Sequence, residues 1–127
     1  MIESNPGNND DGGIFSKFYS TNDNKRCFAL TVFKPTGSTP RVRILLGFNS
    51  GANTEPHEHA TLLSTATWYH VTATYDNSNK SYAIRLRDEN GDIVGTDIEA
   101  IAPLDANKLF ITDRRVEVGS FHTASTI

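Results

Sequence analysis

Between residues 14 and 121, apolar and polar side chains alternate in short runs separated by clusters of Gly, Asn, Asp and Pro. The runs read IFSKFY (14–19), RCFALTVF (26–33), RVRILLGF (41–48), TWYHVTATY (67–75), KSYAIRLRD (80–88), DIVGTDI (92–98), KLFITD (108–113) and RRVEVGSF (114–121), with a shorter ATLL at 60–63. A period of two sends successive side chains to opposite faces of an extended strand. Strands of this length, punctuated by turn residues, predict an antiparallel all-β sandwich. No window carries an apolar stripe at helical spacing, so almost no helix is expected. Asn90-Gly91 lies between two alternating runs and signals a hairpin, because both residues tolerate positive φ.

The alternation also assigns faces. Val42, Ile44, Leu46 and Phe48 point inward, with Arg41 and Arg43 outward. Tyr82, Ile84 and Leu86 oppose Arg85 and Arg87, and Tyr69, Val71, Ala73 and Tyr75 oppose Thr72 and Thr74. If these strands share a sheet, its outer face carries Arg and Thr. The Asn/Asp/Gly-rich residues 1–13 predict a flexible lead-in, and 14–127 a single sandwich domain. NSGANTEPHEH (49–59) predicts a longer loop.

Length and charge narrow the function classes. A chain of 127 residues suits one domain with a core of its own. A net charge of -3 and a pI near 5.7 point away from a nucleic-acid partner. No apolar run is long enough to span a bilayer, and the first residues lack the charged-then-apolar pattern of a signal peptide. Cys27 stands alone, so there is no disulfide framework.

The stretch TWYHVTATYDNSNKSYAIRLRDENGDIVG resembles the central hairpin of laminin G-like domains, of the concanavalin A-like lectin/glucanase jelly-roll group. The matching residues are Trp68, His70, Val71, Tyr75, Asp76 and the Asn90-Gly91 turn. Ser16-Lys17 upstream and the Gly-Ser ending LFITDRRVEVGSF downstream extend the resemblance over roughly residues 13 to 120. It implies a jelly roll, a non-enzymatic binding role with carbohydrate as first ligand class, and calcium at the sandwich rim, although no residue here aligns with a family calcium position. Similar domains are commonly extracellular. The family usually has further strands on both sides of the matched region. The chain is then a minimal version, or its sandwich is completed by its own termini or by a second subunit in a homodimer.

Candidate chemistry is sparse. Arg41, Arg43, Arg85 and Arg87, with Thr72 and Thr74 beside them, are the candidate ligand-binding set, since guanidinium forks grip carboxylate, sulfate or phosphate of an acidic glycan. The competing expectation is a solvated face with the arginines paired to Glu58, Asp88 or Glu89. Trp68 and His70 are expected to pack within their strand rather than stack a sugar or act as base, because no nucleophile or acid is paired with the His. Asp76 is expected to open the following turn. His57, Glu58 and His59 are the candidate metal ligands, but an H-x-H pair needs a third ligand, and a solvated loop is the expectation. Glycoside hydrolysis requires two facing carboxyl groups, whereas Glu99 and Glu117 are single, so a truncated hydrolase is the minor alternative and no catalytic residue is assigned. The remaining alternative is a structural or protein-protein interaction module that self-associates.

Overall fold

The computed structural model describes residues 10–17, 27–48, 53–101, 109 and 116–119, and these contain eight strands and no helix. β1 (Asp10–Lys17), β2 (Phe28–Lys34), β3 (Arg41–Phe48), β4 (Asn53–Glu58) and β8 (Glu117–Val118) form one sheet in the order β4-β3-β2-β1-β8. β5 (His70–Asp76), β6 (Ser81–Arg87) and β7 (Ile98–Ile101) form a second sheet in the order β5-β6-β7. Every pairing is antiparallel. The all-β sandwich expected from the alternation is the architecture found.

The core lies between the two sheets. Val32, Val42, Ile44, Leu46 and Phe48 of the larger sheet meet Ile84 and Leu86 of the smaller, with Leu63 from the connection. Ile84 and Leu86 are fully buried, so truncating either to alanine costs about 2–5 kcal/mol through lost contacts and a residual cavity. The inward positions expected on β3, and Ile84 and Leu86 on β6, are buried in this core, with Tyr82, Tyr69, Val71 and Tyr75 packed against it, while Leu45 and Ala83 are buried on the opposite faces.

Several boundaries differ from the sequence expectations, each for a physical reason. β1 begins at Asp10, inside the expected lead-in; Gly12 and Gly13 pair with Val32 and Thr31 through backbone alone and leave no alternating pattern to read. A register shift between Gly13 and Phe15 lets Ile14 join the core margin. Residues 53–58, expected to be loop, form β4, whose inward positions opposite Leu46 and Ile44 are Glu55 and His57 rather than apolar residues. The run 92–98 is mostly irregular: Ile93 makes a single bridge to Arg87, and β7 starts only at Ile98. ATLL at 60–63 is not a strand, and β5 starts at His70 instead of 67. Of the two last expected strands, KLFITD lies outside the described residues apart from Leu109, and in 114–121 the described strand is the short β8.

The Asn90-Gly91 turn does form. Gly91 has φ of 88°, and Asp88 Oδ1 accepts hydrogen bonds from the backbone N–H groups of Asn90 (2.8 Å) and Asp92 (2.9 Å). Gly95, with φ of 76°, lets the chain pass so close to the 59–61 segment that an added Cβ would overlap Thr61 Oγ1.

Candidate functional site: the outer face of the three-stranded sheet

The four arginines divide between the sheets, Arg41 and Arg43 on β3 and Arg85 and Arg87 on β6. They do not form one array. On β3, the register places Arg43 opposite Glu58 of β4. Its Nη2 and Nε reach Glu58 Oε1 at 2.7 and 3.1 Å, while Arg41 Nη1 lies 3.4 Å from the other oxygen. The Arg43 guanidinium also lies over the Phe33 ring. Around this pair the outer face of the larger sheet is closed: Ser16, Ala29, Thr31 and Leu45 are all buried.

The smaller sheet is different. Opposed pairs in its register point the same way, so His70, Thr72, Thr74 and Asp76 share a face with Arg87, Arg85, Ala83 and Ser81, and with Glu99 of β7. The β5 members of this row are exposed. Arg87 grips Asp97 with two parallel bonds of 2.6 and 2.7 Å, and Arg85 pairs with Glu99 and lies 3.8 Å from Asp97. The bonds from Arg87 hold the Asp97 carboxyl below the usual carboxylate range. Thr74, Asp76, Ser81, Arg85 and Glu99 line a shallow hollow of about 280 Å³ on this side.

Trp68 is 54% exposed, contrary to the expected strand packing. It stands two residues before β5, and its neighbour Tyr69 turns to the core and accepts a bond from the Ser64 N–H at 3.1 Å. His70 is exposed as well. Asp76 behaves as expected, its Oδ1 accepting from the Ser78 backbone N–H (2.8 Å) and hydroxyl (2.6 Å), which lowers its pKa.

The candidate metal ligands separate. Strand alternation sends Glu58 outward to the arginines and His57 inward, where its ring stacks on Tyr82 at 3.9 Å between centroids. His57 Nε2 is 2.8 Å from Glu55 Oε1, an ion-pair distance, although the ring N–H does not point squarely at the oxygen. Burial lowers the His57 pKa more than Glu55 raises it, and burial, with Glu55 nearby, pushes the Tyr75 and Tyr82 phenols up. His59 is fully buried, with Nδ1 accepting from the Thr61 N–H at 3.2 Å. The solvated loop expected here is therefore a partly buried strand. Among the described residues no group of three or more His, Cys, Asp or Glu is placed to hold a metal ion. Of the Asx clusters considered for calcium, the side chains of 8–11 and all of 22–24 lie outside the described residues, while Asp76 and Asn79 are engaged in their own turn.

Asp97, Glu99 and Ser81 join the site without a signal in the alternation pattern. Their signal was the register: Glu99 falls opposite Ala83, beside Arg85, once β7 is moved to Ile98–Ile101. No described helix is long and apolar enough to cross a membrane. Comparison with known proteins finds no matching family model, no matching curated protein and no matching solved structure.

Proposed function

We propose that this protein is a non-enzymatic binding module that takes an uncharged oligosaccharide on the outer face of its three-stranded sheet. The observation that carries the reading is the exposed Trp68 at the head of a strand whose outward row is His70, Thr72 and Thr74. An indole face stacks on the apolar face of a sugar, and hydroxyl and ion-paired polar groups exchange hydrogen bonds with its hydroxyls. Trp68 and Thr74 are roughly 20 Å apart along an extended chain, which favours an oligosaccharide over a single sugar. The laminin G-like resemblance implies the same ligand class.

Charge argues for a neutral ligand over an acidic one. Arg85 and Arg87 are already engaged by Glu99 and Asp97, and Asp76 adds a further negative charge at the hollow. The same pairing supports a non-enzymatic role, because carboxylates held by guanidinium groups are poor general acids. A glycan array probed with the wild type and with Trp68→Ala tests this. Neutral oligosaccharides should be retained by the wild type, and Trp68→Ala should weaken binding by about tenfold, the scale of one lost stacking contact. Binding that is confined to sulfated or carboxylated glycans, or that ignores Trp68→Ala, refutes the neutral-glycan reading.

A further inference from the structure

We infer that β5 is a homodimerisation edge, pairing antiparallel with β5 of a second copy about a two-fold axis through Ala73. β5 ends the three-stranded sheet, and among the described residues nothing pairs with its second side. Seven residues of continuous strand thus present a row of backbone donors and acceptors. The sequence of this strand, HVTATYD, complements itself when reversed. Turning it about Ala73 sets His70 opposite Asp76, Val71 opposite Tyr75, and Thr72 opposite Thr74, each twice by symmetry. A charged or hydrogen-bonding His–Asp pair, a β-branched–aromatic pair and a Thr–Thr pair are the favourable classes of cross-strand neighbour.

The faces agree as well. His70, Thr72, Thr74 and Asp76 all lie on the exposed outer face, so the polar pairs meet on the wet side. Val71 and Tyr75 lie on the core side, so the apolar pairs extend the core across the seam. A slip by one residue would oppose His70 to Tyr75 and destroy both matches, which is why the axis is placed at Ala73. The product is a continuous six-stranded sheet with the order β7-β6-β5-β5-β6-β7, and the central Ala73 pair has no side chain large enough to hold the strands apart. The second copy is chosen over an unrelated peptide because the complementarity is internal to this strand.

Sedimentation of the full chain over a concentration series, with variants at two positions, tests the inference. The wild type should show a monomer–dimer equilibrium. His70→Asp places like charges opposite Asp76 twice and should raise the dimer Kd about tenfold, whereas His70→Lys should lower it about threefold. Because residue 70 is exposed, neither change should alter the fold, which circular dichroism checks. Ala73→Cys sits on the axis and should give a disulfide-linked dimer on mild oxidation, while Thr72→Cys, which faces Thr74 of the other copy, should not; Cys27 is buried and does not compete. A monomer at every concentration overturns the inference. So does a dimer whose Kd is indifferent to the charge at position 70, or one in which Thr72→Cys links as readily as Ala73→Cys.

Discussion

β4 and β5 each end a sheet, one the five-stranded and the other the three-stranded, and they treat that position in opposite ways. β4, NTEPHE, carries a proline and a buried inward-pointing glutamate, both devices that discourage a further strand from adding to an edge. β5, HVTATYD, has neither; its interior is Thr, Ala, Val and Tyr, and its charged residue stands at the strand end. The remaining edges are blunt for another reason, since β7 has four residues and β8 two. Among the described residues, three edges are thus protected and one longer, β-prone edge is not. The inward row also differs: β4 turns Glu55 and His57 into the core margin, whereas β5 turns Val71 and Tyr75 inward and its polar groups outward.

The sharpest way to break this contrast is to disturb the polar pair inside β4. Glu55 is 2% exposed and contacts His57 at ion-pair distance. Replacing His57 by leucine removes the polar ring that stands 2.8 Å from the buried Glu55 carboxyl, and should destabilise the fold by about 3 kcal/mol in urea unfolding. Replacing both residues by leucine removes the desolvated groups together and should recover most of that loss. If the double variant is as unstable as the single, the pair contributes through packing against Tyr82 and not through charge.

Acid should act on the same pair before it reaches the rest of the molecule. The folded pKa of His57 lies below its unfolded value because burial opposes its charge. As pH falls below about 6.5 the unfolded chain takes up that proton first, so stability declines from there and levels off below the folded pKa. Asp76, Asp88 and Asp97 have folded pKa values held down by hydrogen bonds, so their stabilisation is present above the unfolded carboxylate value near about 4 and is lost as pH falls through the folded ones. Urea midpoints followed from pH 8 to 3 should therefore show two declines. The Glu55→Leu/His57→Leu variant should lose the upper one and keep the lower.

What the sequence disclosed follows from where alternation is physically required. β3 and β6 lie inside their sheets with one face against the core, so Val42, Ile44, Leu46, Ile84 and Leu86 announce both strand and orientation. β4 was hidden because its inward residues are Glu55 and His57, and β1 because Gly12 and Gly13 carry no pattern. Periodicity turns the arginines outward, as they are, but does not say which strands share a sheet. Glu58 is the expected partner of one arginine pair, whereas the other pair takes Asp97 and Glu99 in place of the expected Asp88 or Glu89, because the register of β7 brings Glu99 beside Arg85. An aromatic in an alternating run ordinarily packs in its strand, but Trp68 does not, because the strand begins after it, at His70.

The smallest expected effect concerns which of the two devices guards β4. Pro56 is exposed and stands opposite Leu45, where its missing N–H weakens the outer row of backbone donors. Pro56→Thr restores the donor and supplies a residue of higher β-propensity, so monomer stability should move by no more than about 0.5 kcal/mol. With two usable edges per copy, the closed dimer inferred above should begin to give way to open chains, seen in sedimentation as species larger than the dimer at the highest concentrations only. The inward charge of Glu55 still opposes that pairing, which is why the effect is small. Should the variant remain dimeric throughout, the proline is dispensable, and Glu55 with His57 alone distinguishes the closed edge from the open one.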